Sequence, residues 1–278
     1  MNPFKLKMGK INYINAFPVY YGIDQDENLL PDWIDLIPEP PADLNRRLVK
    51  GEIEISPISS AFYGMHHDKL LLLPNLSISC FGKVMSVVLM SRHPLENLGG
   101  KRIVLSGESE TSAAFVKMIF LQRGVSPIFE KRRIKNLLEV QESADAVLVI
   151  GDTALREPWD SVFDFRIDLG ELWYEMTGMP FVFAVWAVRR SFAEKRPEIV
   201  DKVIDVLLES KRQGDANMNH IIRRGADTLK LEKTYVKEYY ECLFCDFDSR
   251  KIEALERFFH LLHKRQIFRE EVKARFFK

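Results

Sequence analysis

The chain has 278 residues, 46% hydrophobic and 29% charged, an ordinary globular mixture with room for one large domain or two of average size. Its 40 basic side chains balance 40 acidic ones, which argues against a broad nonspecific grip on nucleic acid. The three cysteines, Cys80, Cys242 and Cys245, make no disulfide framework, the start Met1–Lys10 holds no apolar signal core, and the longest apolar candidate, 181–188, is strand-sized rather than membrane-spanning, so a soluble cytoplasmic protein is expected.

The first element is a short strand built on Ile11 and Tyr13 that stops at Asn15, with Pro18 suited to the first turn of a following helix. The segment 41–50 reads as an amphipathic helix, with Leu44, Leu48 and Val49 on one face, and 53–58 as the strand after it. An apolar strand is predicted over 84–90, interrupted only by Ser86, and a shorter one over 102–105. The polar string 106–112 then leads into a helix over 112–123, and 144–150 is a buried strand ending in Gly151-Asp152. A strand follows over 181–188. The chain then turns helical, with Ile199, Val203, Val206 and Leu207 spaced for one face, and a last amphipathic helix covers 251–266.

Strands alternating with helices imply an α/β fold with largely parallel sheets, and the length suggests two such units. Pro94 breaks the strand before it and marks one edge; the second lies near 181–190. Lobe 1 is expected to hold residues 1–90 plus 186–278 and lobe 2 residues 91–185, with strands 84–90 and 181–188 as the crossings and a cleft at the hinge.

Open α/β sheets bind ligands beyond the carboxyl ends of their strands. Four polar strand ends fit that rule. Asn15 offers an amide that donates and accepts, or else makes an Asx turn with its own backbone. Ser59 and Ser60 close a strand and are placed to cap the next helix, leaving its free N–H groups for an anion. Ser109, Thr111 and Ser112 stand at another helix start, where Glu108 and Glu110 weaken an anion site unless they point outward. Gly151 permits close backbone approach, and Asp152 caps a helix or binds a substrate hydroxyl. Each alone is an ordinary helix cap; together they fit a cleft gripping a small carboxylate or hydroxy acid. Ser86 joins them if its strand lies at the hinge; otherwise it is a serine satisfied by neighbouring backbone.

Other motifs point away from common chemistries. His66 and His67 are adjacent, so their side chains diverge, and Cys242 and Cys245 lack a second pair for zinc; no metal site is expected. The chain has no Gly-rich phosphate loop, no HExxH and no GxSxG. The basic run Lys131-Arg132-Arg133 reads as a solvated face.

At the level of motifs, 9–15 with Pro18, 51–60, 73–79 with Gly82 and 84–92, and 150–152 resemble the MqnA family, the chorismate dehydratases of the futalosine route to menaquinone. The later motifs Asp168-Leu169-Gly170, Trp173-Tyr174, Thr177-Gly178 and 180–187 resemble it too; the likeness runs from about residue 7 to 190. The resemblance implies a type II periplasmic-binding-protein fold used as a cytoplasmic enzyme. It implies that chorismate loses water to give 3-[(1-carboxyvinyl)oxy]benzoate without metal or redox cofactor. No convincing protein base stands near the motifs, so the substrate's enolpyruvyl carboxylate is the candidate proton acceptor, with Asn15 and Ser86 as catalytic positioning groups and Asp152 as the rival base. Ser59, Ser60, Ser109, Thr111, Ser112, Gly151 and Asp152 are the candidate substrate-binding set. Two other readings stay open: the sister 1,4-dihydroxy-6-naphthoate synthase, whose histidine base is not found here, and a non-catalytic binding module for a small carboxylate. Nucleic-acid and membrane partners are not expected, and nothing specifies an oligomeric state.

Overall fold

The computed structural model describes residues 5–26 and 28–278, so residues 1–4 of the Met1–Lys10 segment searched for a signal core lie outside the described part. The chain opens with β1 (Leu6–Lys10), a 3-10 turn at Ile14–Ala16, α1 (Phe17–Gln25), β2 (Ile34–Pro38), α2 (Pro41–Lys50), β3 (Ile55–Ser59), α3 (Ser60–Met65) and β4 (Leu70–Cys80). It passes on through β5 (Val87–Ser91), β6 (Arg102–Ser106), α4 (Glu110–Arg123), β7 (Ile128–Arg132), β8 (Ala146–Ile150), α5 (Gly151–Arg156), β9 (Phe165–Asp168) and α6 (Leu169–Thr177). After β10 (Phe181–Arg189) come α7 (Arg190–Lys195), α8 (Pro197–Ala216), α9 (Met218–Leu229), α10 (Lys233–Glu241), the two-residue β11 (Leu243–Phe244) and α11 (Ser249–Lys264).

These strands form two sheets, six-stranded in the order β11-β4-β10-β3-β1-β2 and five-stranded in the order β7-β6-β8-β5-β9. The molecule is thus a two-lobed α/β protein. Its sheets are mixed rather than largely parallel. Strands β2, β1 and β3 run parallel, as do β7, β6 and β8, but β10 lies antiparallel to both β3 and β4, and β5 antiparallel to both β8 and β9. The expected crossings are also displaced. Strand β10 pairs within the first sheet and β5 within the second, so the chain changes sheets in the loop 81–86 and again around α6.

Local chemistry explains the element ends. Helix α2 starts with Pro41 in its first turn, buries Leu44 and Leu48, and stops at Gly51, whose φ of 79° is the left-handed conformation that favours glycine. Strands β3 and β5 are buried along their whole length, which is why β5 reads as an apolar run and why β3 shows no polar alternation. Helices α9 and α10 lie at the β11 edge of the six-stranded sheet and build a third apolar cluster, in which Tyr239 and Tyr240 pack with Ile14, Phe17, Met85 and Leu155. The C-terminal helices therefore brace the region where the two sheets meet. Among the described residues, no helix is long and apolar enough to cross a membrane.

Candidate active site

Strand β1 ends at Lys10, and the 3-10 turn after it carries Asn15. The Asx-turn alternative requires the Asn15 carbonyl to accept a nearby backbone N–H. It does not: Oδ1 is buried with no hydrogen-bond partner, and α1 starts with no side-chain cap. Ser59 repeats the pattern at the end of β3. It occupies the N-cap position of α3, yet its side chain caps nothing, and Oγ is likewise buried and unpartnered. Buried polar atoms are nearly always paired, with protein or with ordered water. Asn45 Oδ1, Arg47 Nε and Arg132 Nε are buried without a hydrogen-bond partner as well, so what singles out Asn15 and Ser59 is that both line one cavity.

A narrow cavity joins these two side chains to the second lobe. Its polar lining is Tyr13, Asn15, Ser59, Ser86, Glu108, Ser109 and Ser112; Ile78, Val87, Ile150, Phe183 and Ala184 supply apolar walls, and Gly151 also faces it. It shares Tyr13, Pro41 and Glu108 with an outer groove of about 270 Å³, where Arg133 stands. No lysine, arginine or histidine lines the inner cavity. Negative charge placed there meets hydroxyls, an amide and the start of α4, in surroundings of low polarity that strengthen each such contact, but it also meets the Glu108 carboxylate, which faces the cavity rather than pointing outward and is bound there by Tyr13 and Arg133.

Of the nine candidate residues named from the sequence, the cavity brings together Asn15, Ser59, Ser86, Ser109, Ser112 and Gly151. Ser60, Thr111 and Asp152 stand behind it. Ser60 Oγ donates to Val182 O at 2.7 Å and meets Thr111 Oγ1 at 3.0 Å. Thr111 Oγ1 accepts from Ala61 N at 2.9 Å and lies 3.0 Å from Phe183 O. These hydroxyls bolt α3, α4 and β10 together; Ser60 is not a helix cap. Ser109 is one, accepting from Ser112 N at 3.2 Å, with the two hydroxyl oxygens 2.9 Å apart.

Ser86 is not inside a strand. It sits in the turn before β5, where Met85 has a φ of 63° and Ser86 N donates to Val84 O at 2.7 Å. Gly151 N donates to Ser86 O at 2.7 Å. Gly151 has a φ of 61°, and a side chain there would meet the Tyr13 ring at 3.0 Å, so both backbone and packing require glycine. Tyr239 OH donates to Ser86 Oγ at 3.1 Å, and Tyr240 OH to Ile14 O at 2.8 Å.

Asp152 reaches across the cleft rather than capping α5: its Oδ1 accepts from Ile14 N at 3.1 Å. Burial pushes its carboxyl up to about 6, against the opposing pull of that hydrogen bond and of Arg156. The folded protein thus holds this proton more tightly than the unfolded chain. Stability from this group is full below pH 3.8 and is lost as pH rises through about 6; the rise corresponds to about 3 kcal/mol. Asp152→Asn keeps an acceptor for Ile14 N–H without the buried charge. Its melting temperature should exceed the parent's at pH 8, with the gap closing towards pH 4. A gap that does not change with pH would remove the argument.

Sequence reasoning missed the residues that close the mouth. Tyr13 OH donates to Glu108, whose other oxygen lies 3.0 Å from Arg133 Nε; Arg133 also meets Asp43 at 3.4 Å. Burial and Glu108 raise the Tyr13 hydroxyl well above the usual phenol range, so it stays a neutral donor. Arg133 is therefore part of a bridge between lobes, not simply a solvated face. Its partners lie 25 and 90 positions earlier, at a distance no local pattern reports.

The model of a family described as menaquinone biosynthesis matches residues 6–264, well beyond the motif likeness that ends near 190. A chorismate dehydratase of Thermus thermophilus is 32% identical over 254 residues, covering 86% of this chain and 88% of that protein. A 1,4-dihydroxy-6-naphtoate synthase of the same organism is 24% identical over 199 residues, 72% of this chain and 71% of that one. Among solved structures, a protein of Archaeoglobus fulgidus superposes with a TM-score of 0.76 at 19% identity, covering 96% of this chain and all of that one. The alkanesulfonate-binding protein of Xanthomonas axonopodis, bound to MOPS, gives 0.67 at 13% identity, covering 99% and 97%. At these identities the two structures establish a shared periplasmic-binding-protein-like fold and nothing about ligands.

Proposed function

The chain belongs to the MqnA family of menaquinone-biosynthesis proteins, and on that premise we propose that it is a chorismate dehydratase, a carbon–oxygen lyase acting in the cytoplasm. The observation that carries this reading is the cavity in which Asn15 Oδ1 and Ser59 Oγ are buried without protein partners opposite Ser86, Ser109 and Ser112. Chorismate is a flat cyclohexadiene with two carboxylates and a hydroxyl. The apolar walls suit its ring, the serine hydroxyls and the Asn15 N–H groups suit its carboxylates, and the Asn15 oxygen suits its hydroxyl.

The reaction divides into two bond changes. The C3–H bond breaks, its proton passes to the enolpyruvyl carboxylate of the same molecule, and the electron pair spreads through the diene into the ring carboxylate. The C4–O bond then breaks, and the leaving hydroxide takes that proton away as water. An aromatic ring results, which drives the step forward without redox change. Asn15 and Ser86 hold the enolpyruvyl carboxylate over C3, while Ser59, Ser109 and the start of α4 receive the charge growing on the ring carboxylate. Donors aimed at developing charge in such a site contribute about 10²–10³ in rate each. Closure moves residues 87–168 against the rest of the chain, with Tyr13–Glu108–Arg133–Asp43 and Asp152–Ile14 fastening the mouth.

The test is to incubate the protein with chorismate and, separately, with a cyclised futalosine derivative, and to follow products by mass spectrometry. The aromatic enol ether should form from chorismate alone. Product only from the futalosine derivative would transfer the chain to the sister activity; no product from either, with chorismate bound, would make it a binding module. Asp152→Asn should retain turnover, since Asp152 does not line the cavity. Its inactivity with binding intact would return the role of base to the protein.

A further inference from the structure

The C-terminal helices lie outside the motifs that suggested the function, yet α10 sends a hydroxyl to the site. Tyr239 is 1% exposed, and its OH bonds Ser86 Oγ at 3.1 Å. Two hydroxyls joined by one hydrogen bond own two protons, and only one lies in the bond. If Ser86 donated, the phenol proton would be stranded among Ile14, Met85 and Leu155, where no acceptor is found for it among the described residues. If Tyr239 donates, the free proton is that of Ser86, and Ser86 lines the cavity. A buried donor without an acceptor is disfavoured, so the second arrangement wins. The serine backbone is pinned independently, by Gly151 N–H on its carbonyl and by the Val84–Met85 turn. Only the direction of the hydroxyl is left for Tyr239 to set.

We propose that Tyr239 is a positioning residue: by donating to Ser86 Oγ it fixes the serine as a hydrogen-bond donor aimed into the cavity, towards a carboxylate of the substrate. This rests on the chorismate dehydratase reading for the identity of that carboxylate, but the pairing itself stands on the geometry. Burial raises the phenol well above its usual range, so it remains a neutral donor throughout the range in which the protein would be assayed.

The experiment is a double-variant cycle with Tyr239→Phe and Ser86→Ala, measured by steady-state kinetics on chorismate and by thermal unfolding. Tyr239→Phe keeps the ring and removes one oxygen. In the parent it should lower kcat about 10-fold with little change in KM. In the Ser86→Ala background it should have no further effect on kcat. There it should also raise the melting temperature, because Ser86→Ala alone leaves the tyrosine proton without an acceptor. Equal fold-losses in both backgrounds, or additive changes in melting temperature, would overturn the proposal. If the parent protein leaves chorismate unchanged, the functional reading fails by itself. The melting-temperature cycle then decides the pairing: additivity overturns it and non-additivity supports it.

Discussion

Asn15→Ala is expected to lower kcat for chorismate dehydration by about 10²-fold while leaving the melting temperature unchanged or higher. The two halves of this result have one origin. Asn15 Oδ1 is buried and unpartnered, so in the free protein it is a desolvated acceptor with nothing in return. An unsatisfied buried group of this kind costs about 1–3 kcal/mol, and alanine removes it. The amide also stands in the 3-10 turn after β1, on the cavity wall where the enolpyruvyl carboxylate is placed. Loss of the amide that holds this carboxylate over C3 misplaces the proton acceptor, and a loss of positioning falls on kcat more than on KM. Rates of aromatic product formation set beside thermal melts decide the matter. A destabilised variant that still turns over near the parent rate would make Asn15 an ordinary structural residue.

That coupling also explains why part of the site is legible in the sequence. Ser59 ends a strand and precedes a helix start, a local pattern readable without a structure; the strand expected on Ile11 and Tyr13 instead ends at Lys10, and Asn15 lies in the 3-10 turn that leads into α1. What distinguishes Ser59 from Ser60, or Ser112 from Thr111, is not local. Each pair is adjacent in sequence and similar in chemistry, and one step along the backbone turns one side chain to the cavity and its neighbour to a carbonyl of β10. Strand β3 is buried on both faces, so no polar alternation marks which way Ser59 points. Strand direction is hidden for the same reason: β5 and β10 are apolar throughout most of their length and look alike whether parallel or antiparallel to their neighbours. The Ser86 turn depends on partners at 151, 168 and 239, each brought in by tertiary folding.

The strongest of those partners is Asp168, and Asp168→Ala should lower stability by roughly 3–5 kcal/mol and abolish turnover. Asp168 ends β9 and is 8% exposed. Its Oδ1 caps α6, accepting from Gly170 N at 2.9 Å and Glu171 N at 3.1 Å. The same carboxylate crosses to the turn before β5, accepting from Val84 N at 3.1 Å and from Met85 N at 2.7 Å. Alanine would leave four backbone N–H groups without that acceptor, two of them in a turn whose Met85 already adopts a φ of 63°. The glycine two positions on belongs to the same device. A side chain at Gly170 would collide with Gly82 O and Cys80 Sγ, so only glycine lets α6 start close enough for one carboxylate to serve both segments. Released from it, the turn no longer presents Ser86 to the cavity, and activity goes with stability. That pairing of losses is the opposite of what Asn15→Ala should show. Asp168→Asn should fall between, because its amide nitrogen replaces one acceptor oxygen and faces an N–H. Chemical denaturation and chorismate turnover on both variants measure this. If Asp168→Ala unfolds within about 1 kcal/mol of the parent, the turn is held by something other than this carboxylate.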